Sequence, residues 1–259
     1  QHEVPRNVAD MKWFNDDHVA VACGNEVFVM DVLGDAHRHG SFGRRDRLLS
    51  SVEHVNTIRE LACSDGRVLS GGFDGRINVC DVGSMGEDRI ICDFQTNEVV
   101  GSVKWHPTMR EVFSVTQDQG AVLLYDLRAG GGKQVAKYES LMNHGYTHSY
   151  DGENTIVMGF AAEQCNEFHV EFIDLRWDLI GAKKKKKKAG KGKKEFPMTF
   201  KHGLTDPHME AVGDILIVPG SRLGNRYFLF GQPGFSLIDA DNRFKTALMA
   251  NAGHYVTDY

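Results

Sequence analysis

The chain of 259 residues has little of what marks a membrane, secreted or zinc-binding protein. Its apolar runs are no longer than about six residues, which excludes a helical membrane span of about 20. It has no apolar leader, so we expect no signal peptide. Its five cysteines are odd in number and never in a C-x-x-C spacing, which favours a reducing compartment. One or two disulfides in a secreted protein are the less favoured alternative.

The chain has only 6 prolines but 28 glycines, which predicts many tight turns.

Acidic residues outnumber basic ones by 35 to 30, and one lysine-rich tract hides a larger excess of negative charge in the rest of the chain. Removing its nine lysines leaves 21 basic residues against 35 acidic ones, a net charge of −14. The sequence is therefore an acidic body with one basic segment. The lysines of this tract are Lys183, Lys184, Lys185, Lys186, Lys187, Lys188, Lys191, Lys193 and Lys194.

Strand-forming residues dominate the rest of the chain, and we find no convincing amphipathic helix. Runs rich in Val, Ile, Phe, Leu and Tyr are interrupted by Gly, Asn and Asp, and Asp-Gly between such runs is a strong hairpin signal. The sequence therefore predicts a mostly β protein. The strand-rich segments are 18–32, 67–82, 111–127, 155–175 and 214–238, and the turns are Gly24-Asn25, Asp65-Gly66, Asp74-Gly75, Asp118-Gln119-Gly120 and Asp151-Gly152.

Each strand cluster ends in an apolar pair, an aspartate and a further apolar residue, which indicates an internal repeat. The intervals between these aspartates are 50, 45, 48 and 65 residues. The last interval contains the lysine-rich stretch 181–195, and without those 15 residues it is also 50. Five units of near-constant length are therefore predicted. They end near Asp31, Asp81, Asp126, Asp174 and Asp239.

The strongest unit runs from His54 to Asp81, and it resembles a repeat of the WD-repeat β-propeller family. The resemblance implies that a His, a Ser, an Asp and a Trp form hydrogen bonds within each blade, and Cys80 stands at the Trp position. The next unit has Tyr125 there and lacks the loop histidine. The residues that we assign on this basis to hydrogen bonding within the blades are His54, Ser70, Asp74, Asp81, Asp118 and Asp126.

The predicted fold is all-β, a β-propeller of four-stranded antiparallel blades across residues 1–259, with a disordered insertion at 181–195. Small four-stranded units must pack face to face, and ring closure protects their edges. Five units are fewer than the seven that are usual in the family. We expect an incomplete ring that a partner's blade or upstream residues complete, or else a terminal strand at 254–257 paired near 8–14.

Enzyme chemistry and cofactors are not expected, because the motifs that would carry them are missing. Ser102 lacks the second glycine of a G-x-S-x-G nucleophile motif, since Lys104 stands at that position. The Gly-rich stretch before Lys133 lacks the rest of a P-loop. His37 and His39 form an H-x-H pair without a further ligand at zinc-site spacing, which favours a surface loop. We predict no catalytic residue and no metal site.

The favoured function is a non-catalytic protein-interaction scaffold, an intracellular subunit of a larger complex in the cytoplasm or nucleus. Propellers of the family present loops to peptides and domains, including basic peptides for an acidic body. Packing between blades is an equally weighted alternative for Phe73 and Trp105. The candidate partner-binding residues are Asn56, Phe73, Arg76, Trp105 and Gln117.

The lysine tract supports a second hypothesis, which is binding to nucleic acid or an anionic membrane. Nuclear localisation is another use of such a tract. A disordered, solubilising loop is the favoured alternative, because like charges repel and such blocks seldom fold. No aromatic residue lies among the lysines, so base stacking is not predicted.

Overall fold

A computed structural model describes residues 8–31, 47–49, 52, 54–82, 88–129, 132–139, 145–160, 170–175, 200–202, 211–218, 226–232, 234–239 and 245–251. These residues form β-strands, turns and irregular segments. None of them belongs to a helix that is long and apolar enough to cross a membrane. The lysine tract and the 254–257 segment lie outside the described residues.

In the described part of the chain, twenty strands form five antiparallel sheets of four, and in each sheet the strands lie in the order in which they occur in the chain. Sheet A contains β1 (Val8–Trp13), β2 (His18–Cys23), β3 (Glu26–Asp31) and β4 (Arg47–Leu48). Sheet B contains β5 (Ile58–Ser64), β6 (Arg67–Gly72), β7 (Arg76–Val82) and β8 (Asp88–Gln95). Sheet C contains β9 (Val100–Trp105), β10 (Val112–Gln117), β11 (Ala121–Asp126) and β12 (Lys133–Glu139).

Sheets D and E complete the set. Sheet D contains β13 (Gly145–Asp151), β14 (Thr155–Phe160), β15 (Val170–Asp174) and β16 (Phe200–His202). Sheet E contains β17 (Ala211–Val218), β18 (Arg226–Gln232), β19 (Gly234–Asp239) and β20 (Lys245–Asn251). The prediction of four-stranded antiparallel units is therefore confirmed.

The repeated aspartates mark one position in this architecture, the end of the third strand of each sheet. Four of them are the last residue of their strand, and Asp81 is followed only by Val82 in β7. The turns predicted from glycine are also present. Between β5 and β6, Asp65 and Gly66 have φ of 49° and 77°, values that favour glycine and are tolerated by aspartate.

The first strand of every sheet carries a register shift near its beginning. One residue there has no opposite partner, so the strand kinks and the residues on either side of it that share a face are three positions apart instead of two. The first residues after the shift are Asp10, Glu60, Ser102, Thr147 and Asp214. Because the shift lies at the same place in every first strand, it defines which residues of the five sheets occupy corresponding positions.

The chain divides into two compact units, the first comprising residues 1–118 and 122–137 and the second comprising 119–121 and 138–259. In the first unit, apolar clusters fill the space between sheets A and B and between sheets B and C. We call the face of a sheet that packs on the preceding sheet its leading face, and the opposite face its trailing face. Sheet B lies between sheets A and C, so both of its faces are buried. Successive side chains of a strand point to opposite faces, and apolar residues therefore occur on both.

In the second unit, the core lies between sheets D and E. Val157 and Val170 of sheet D meet Val212, Ile215 and Leu229 of sheet E. A Cβ on Gly159 would lie 2.8 Å from Val212 Cγ1, so this position must be glycine for the two sheets to approach.

Candidate interaction surface

The residues that sequence analysis grouped in the second repeat lie together in sheet B. His54, in the segment before β5, is buried and places Nε2 2.9 Å from Ser70 Oγ in β6. Its Nδ1 lies 3.0 Å from Asp74 Oδ1 in the turn after β6. The three side chains thus connect one loop, one strand and one turn of the sheet.

Asn78 is a fourth member of this network, and sequence analysis did not find it. Its Nδ2 lies 3.0 Å from His54 Nε2, and the residue is buried in β7. An amide nitrogen is a donor, so Nε2 accepts from Asn78 and the Nδ1–H group donates to Asp74. Asn78 lies two residues before Cys80, on the same face of the strand. This alternation of side chains along the strand was the sequence signal that pointed to Asn78.

Burial and hydrogen bonding set the charges in this network. Burial lowers the pKa of His54, and the nearby Asp74 carboxylate only partly opposes that effect. Burial opposes ionisation of Asp74, yet hydrogen bonds from His54 and from two backbone amides lower its pKa. A neutral imidazole beside an ionised carboxylate matches the tautomer that the contacts require.

Asp74 also fixes the backbone on both sides of its turn. Its Oδ2 accepts from the amide of Val55 at 2.8 Å, and its Oδ1 accepts from the amide of Arg76 at 3.0 Å. Gln95 Nε2 donates to the Asp74 carbonyl at 2.8 Å. One buried carboxylate therefore holds the loop before β5 and the turn after β6 in a fixed relation.

This framework carries two exposed apolar side chains, Val55 at 80% and Phe73 at 46% exposure. The guanidinium of Arg59 lies over the Phe73 ring at 5.1 Å from its centroid, and Arg59 Nη1 contacts Asp118 Oδ1 at 3.1 Å. We call Val55, Asn56, Arg59, Phe73 and Asp118 the loop surface of sheet B. Its apolar centre is bounded by a cation and a carboxylate, an arrangement suited to contact with another protein.

The other predicted partner-binding residues lie in different surroundings. Trp105 is partly buried between sheets B and C, where its indole N–H donates to the Ala62 carbonyl at 3.1 Å and its ring meets Phe113 edge-on at 5.6 Å. Gln117 is buried at the end of β10, and Arg76 is half-buried in β7. The structure thus brings Asn56 and Phe73 to one surface and places Trp105 in the packing between sheets.

The remaining blade aspartates have separate surroundings. Asp126 accepts from the Arg128 amide at 2.9 Å and from its guanidinium, and Arg128 lowers the pKa of Asp126. Asp81 is exposed in β7, where its backbone lies opposite Arg67 and Arg89. Of the six predicted residues, His54, Ser70 and Asp74 share one network of side-chain contacts.

The cysteines in the described part of the chain are thiols that are not joined in disulfides. Burial raises the pKa of Cys63 to about 12, and burial also raises the pKa of Cys23 and Cys92. A protonated buried thiol is a poor nucleophile and a poor metal ligand. Among the described residues, no group of three or more His, Cys, Asp and Glu side chains could hold a metal ion.

Comparison with solved structures identifies the fold. A chain in the crystal structure of the mitotic checkpoint complex matches with a TM-score of 0.65 and 16% identity, over 95% of the present chain. The present chain is an all-β protein of the β-propeller class. It spans only 64% of that longer chain.

These matches do not show which function the protein has. In all, 967 solved chains match, so the architecture is widely used. At 16% identity the likeness shows the fold alone. No protein-family model and no curated protein matches the sequence.

Proposed function

We propose that this chain is a WD-repeat subunit of a larger intracellular complex and acts as a non-catalytic protein-interaction scaffold through the loop surface of sheet B. The observation that carries the proposal is the exposure of Val55 and Phe73, which follow His54 and precede Asp74 of the buried network in the chain. Family membership rests on the repeat pattern and on the contacts among His54, Ser70 and Asp74.

Rigidity is the physical reason for choosing this surface. Val55 and Phe73 lie on backbone that is fixed by hydrogen bonds, since the Val55 amide is held by Asp74 and the Phe73 amide donates to the Thr57 carbonyl at 2.9 Å. A preorganised surface loses little conformational entropy when a partner binds. An exposed aromatic ring beside an arginine is the type of contact in which binding energy concentrates.

The partner's chemistry follows from the surface. Because Arg59 already contacts Asp118, the centre of the surface offers an apolar ring rather than a free charge. We propose a peptide or loop that inserts an apolar side chain beside Phe73. The acidic body, at −14 without the lysine tract, favours basic residues around that anchor through faster association.

Photo-crosslinking tests this proposal. A photo-reactive phenylalanine analogue replaces Val55 or Phe73 in the full chain, and crosslinked proteins are identified by mass spectrometry. Val135, in β12 and 49% exposed, is the matched control position. We expect positions 55 and 73 to capture the same protein and position 135 not to capture it.

The matching loss-of-function variant is Phe73→Ala. We expect unfolding stability to change by no more than about 0.5 kcal/mol, because the ring is exposed, while capture at position 55 is lost. Val135→Ala should change neither property. Capture that persists unchanged in Phe73→Ala, with the fold intact, would contradict the proposed surface.

The alternative function stays with the lysine tract, whose nine lysines in twelve residues suit nucleic acid or an anionic membrane. Binding of RNA or of phosphatidylserine vesicles by the full chain, followed across a salt series, tests it. This alternative predicts a steep loss of affinity with salt and no binding after deletion of residues 181–195. Equal binding with and without the tract would exclude it.

A further inference from the structure

The ends of sheets B and C that carry the loop surface place different side chains at one equivalent position. Phe73 is the first residue after β6, and Asp118 is the first residue after β10. The amide of Phe73 donates to the Thr57 carbonyl, just before β5, at 2.9 Å. In the same way, the amide of Asp118 donates to the Val99 carbonyl, just before β9, at 3.1 Å. Sheet B therefore presents an aromatic ring where sheet C presents a carboxylate.

The loops before the two first strands differ in the same sense. Val55 lies three residues before β5, and Asn97 lies three residues before β9. Both residues are exposed, so an apolar side chain of sheet B corresponds to a polar one of sheet C. Glu98 follows Asn97 and adds a second carboxylate to this end of sheet C. We call Val55 and Phe73 the apolar subsite, and Asn97, Glu98 and Asp118 the acidic subsite.

Arg59 joins the two subsites. It is the residue without an opposite partner at the register shift of β5, and such a shift re-aims a side chain. The corresponding residues of the neighbouring sheets, Ala9 and Gly101, are too short to reach another turn. The Arg59 guanidinium lies 5.1 Å from the centre of the Phe73 ring, and its Nη1 lies 3.1 Å from Asp118 Oδ1. One side chain thus holds the ring and the carboxylate at a fixed separation of about 10 Å, the spacing of packed sheets.

The acidic subsite has room for a second cation. The Asp118 side chain is 33% exposed, and a carboxylate can accept up to about four hydrogen bonds. Arg59 uses one of these positions, at Oδ1. Asp118 and Glu98 carry two formal negative charges against the single positive charge of Arg59. Electrostatic complementarity therefore favours a basic side chain from the partner.

The separation of the subsites sets the spacing of the residues that they bind. In a polyproline II segment, residues i and i+3 lie on the same face and are about 9 Å apart. In a β-strand, residues i and i+2 share a face and are only about 7 Å apart. A span of about 10 Å thus matches three positions of a segment in the polyproline II conformation.

We propose that this end of sheets B and C binds an extended peptide segment in which an apolar residue and an arginine or lysine lie three positions apart. The apolar side chain packs against Val55 and Phe73, and the basic side chain binds Asp118. This binding mode rests on the proposed scaffold function. It adds the chemistry of the partner's segment and the role of Asp118 as a specificity-determining residue.

An acidic segment fits this surface less well. To reach the Arg59 guanidinium, its carboxylate would have to replace Asp118 and would meet the charges of both Asp118 and Glu98. A basic side chain instead leaves the contact between Arg59 and Asp118 intact. Asp118 therefore attracts basic segments and repels acidic ones, and specificity needs both effects.

A peptide selection tests the proposed motif. Random dodecapeptides displayed on phage are selected on the immobilised full chain, and peptides that also bind the Phe73→Ala chain are removed. We expect the enriched peptides to share an apolar residue with an arginine or lysine about three positions away. An acidic residue at that spacing, no charged residue, or a basic residue without a constant spacing would overturn the proposal. A selection without enrichment would overturn it as well.

The affinity of one selected peptide then tests Asp118 directly. Asp118→Asn, which keeps the shape of the side chain, should weaken binding about fivefold, as expected for a partly exposed ion pair. Fluorescence anisotropy with a labelled peptide measures the change. The substitution should have no effect on a peptide whose basic residue is replaced by glutamine. An equal loss for the two peptides would rule out the contact with Asp118.

Glu111→Gln is the matched control. Glu111 Oε1 contacts Arg67 Nη1 at 2.9 Å, also between sheets B and C, and the two side chains are 35% and 25% exposed. Glu111 precedes β10, so it lies at the other end of that strand from Asp118. Both substitutions remove one negative charge from the protein, and only Asp118→Asn should weaken the peptide. Equal losses would mean that net charge alone attracts it, and the proposal would be wrong.

The crosslinks from positions 55 and 73 decide the scaffold function separately. If both positions capture one protein whose crosslinked segment lacks the motif, the scaffold function stands and the proposed motif is wrong. If the two positions capture no common protein, the scaffold function itself fails.

Discussion

Sheets B and C use opposite chemistry at the same positions of their leading faces. In sheet B, Ser70 and Asn78 bind the imidazole of His54. The strand registers place Val115 and Leu123 at those two positions in sheet C, where they join an apolar cluster. A blade can therefore be held by a buried polar network or by side-chain packing alone.

The difference extends to the position two residues further along the third strand of each sheet. Cys80 fills it in sheet B and Tyr125 fills it in sheet C, where Tyr125 stacks on Phe113 with centroids 5.0 Å apart. The ring of Tyr125 fills a volume in the core that the smaller side chain of Cys80 does not fill. The polar network instead fixes the loops that carry Val55 and Phe73. Packing gives sheet C stability, and hydrogen bonding gives sheet B a defined surface.

The largest predicted effect is on the aromatic cluster of sheet C. Phe113 is fully buried against Phe94, Trp105 and Tyr125. Phe113→Ala should reduce the free energy of unfolding by about 3–5 kcal/mol, through lost contacts and a residual cavity. Denaturant unfolding of the full chain measures it. A loss below about 1 kcal/mol would show that the neighbouring rings refill the space.

His54→Ala should cost less, about 2–3 kcal/mol, because it leaves Ser70, Asn78 and Asp74 without their shared partner. It should also disorder the loop surface, so the crosslink from position 55 should be lost. His18→Ala, which removes an exposed contact with Asn15, is the control and should cost at most about 0.5 kcal/mol. Equal losses in the two variants would mean that the buried network contributes nothing specific.

The polar network should also make stability depend on pH, and the aromatic cluster should not. Because the pKa of His54 is lowered on folding, its contribution is complete above its ordinary pKa of about 6.5 and is lost as pH falls below that value. The slope approaches about 1.4 kcal/mol per pH unit for this one proton. Urea unfolding between about pH 7.5 and 5.5 should show a steeper decline in the wild type than in His54→Gln. Parallel profiles would contradict the neutral state of His54.

The smallest predicted effect compares the two equivalent tryptophans. Trp105→Phe should cost about 1 kcal/mol, since it removes the hydrogen bond to Ala62 and trims a packed ring. Trp13→Phe should cost no more than about 0.5 kcal/mol in the isolated chain, because Trp13 is largely exposed. Thermal unfolding of both variants measures the difference. Equal costs would mean that Trp13 is already packed in solution.

Most strands and turns were predictable from sequence, because they depend on local residue patterns. The spaced aspartates located the third strand of every sheet, and the Asp-Gly pairs located hairpin turns. His54, Ser70 and Asp74 could be grouped from their order in the repeat. Alternation along the strand places Asn78 on the same face as Cys80, but only the tertiary structure shows that His54, from another segment, faces it.

Sequence by itself determined the fold class, since alternation of apolar side chains and turn residues act over a few neighbouring positions. Tertiary structure alone decided the roles of similar residues. Trp13 and Trp105 end equivalent strands, and Val55 and Val103 are both valines, yet one of each pair is exposed and the other is not. The reason is that burial depends on which sheet lies against a face. That contact joins residues about 45 positions apart along the chain, in line with the length of one blade, and no local pattern records it.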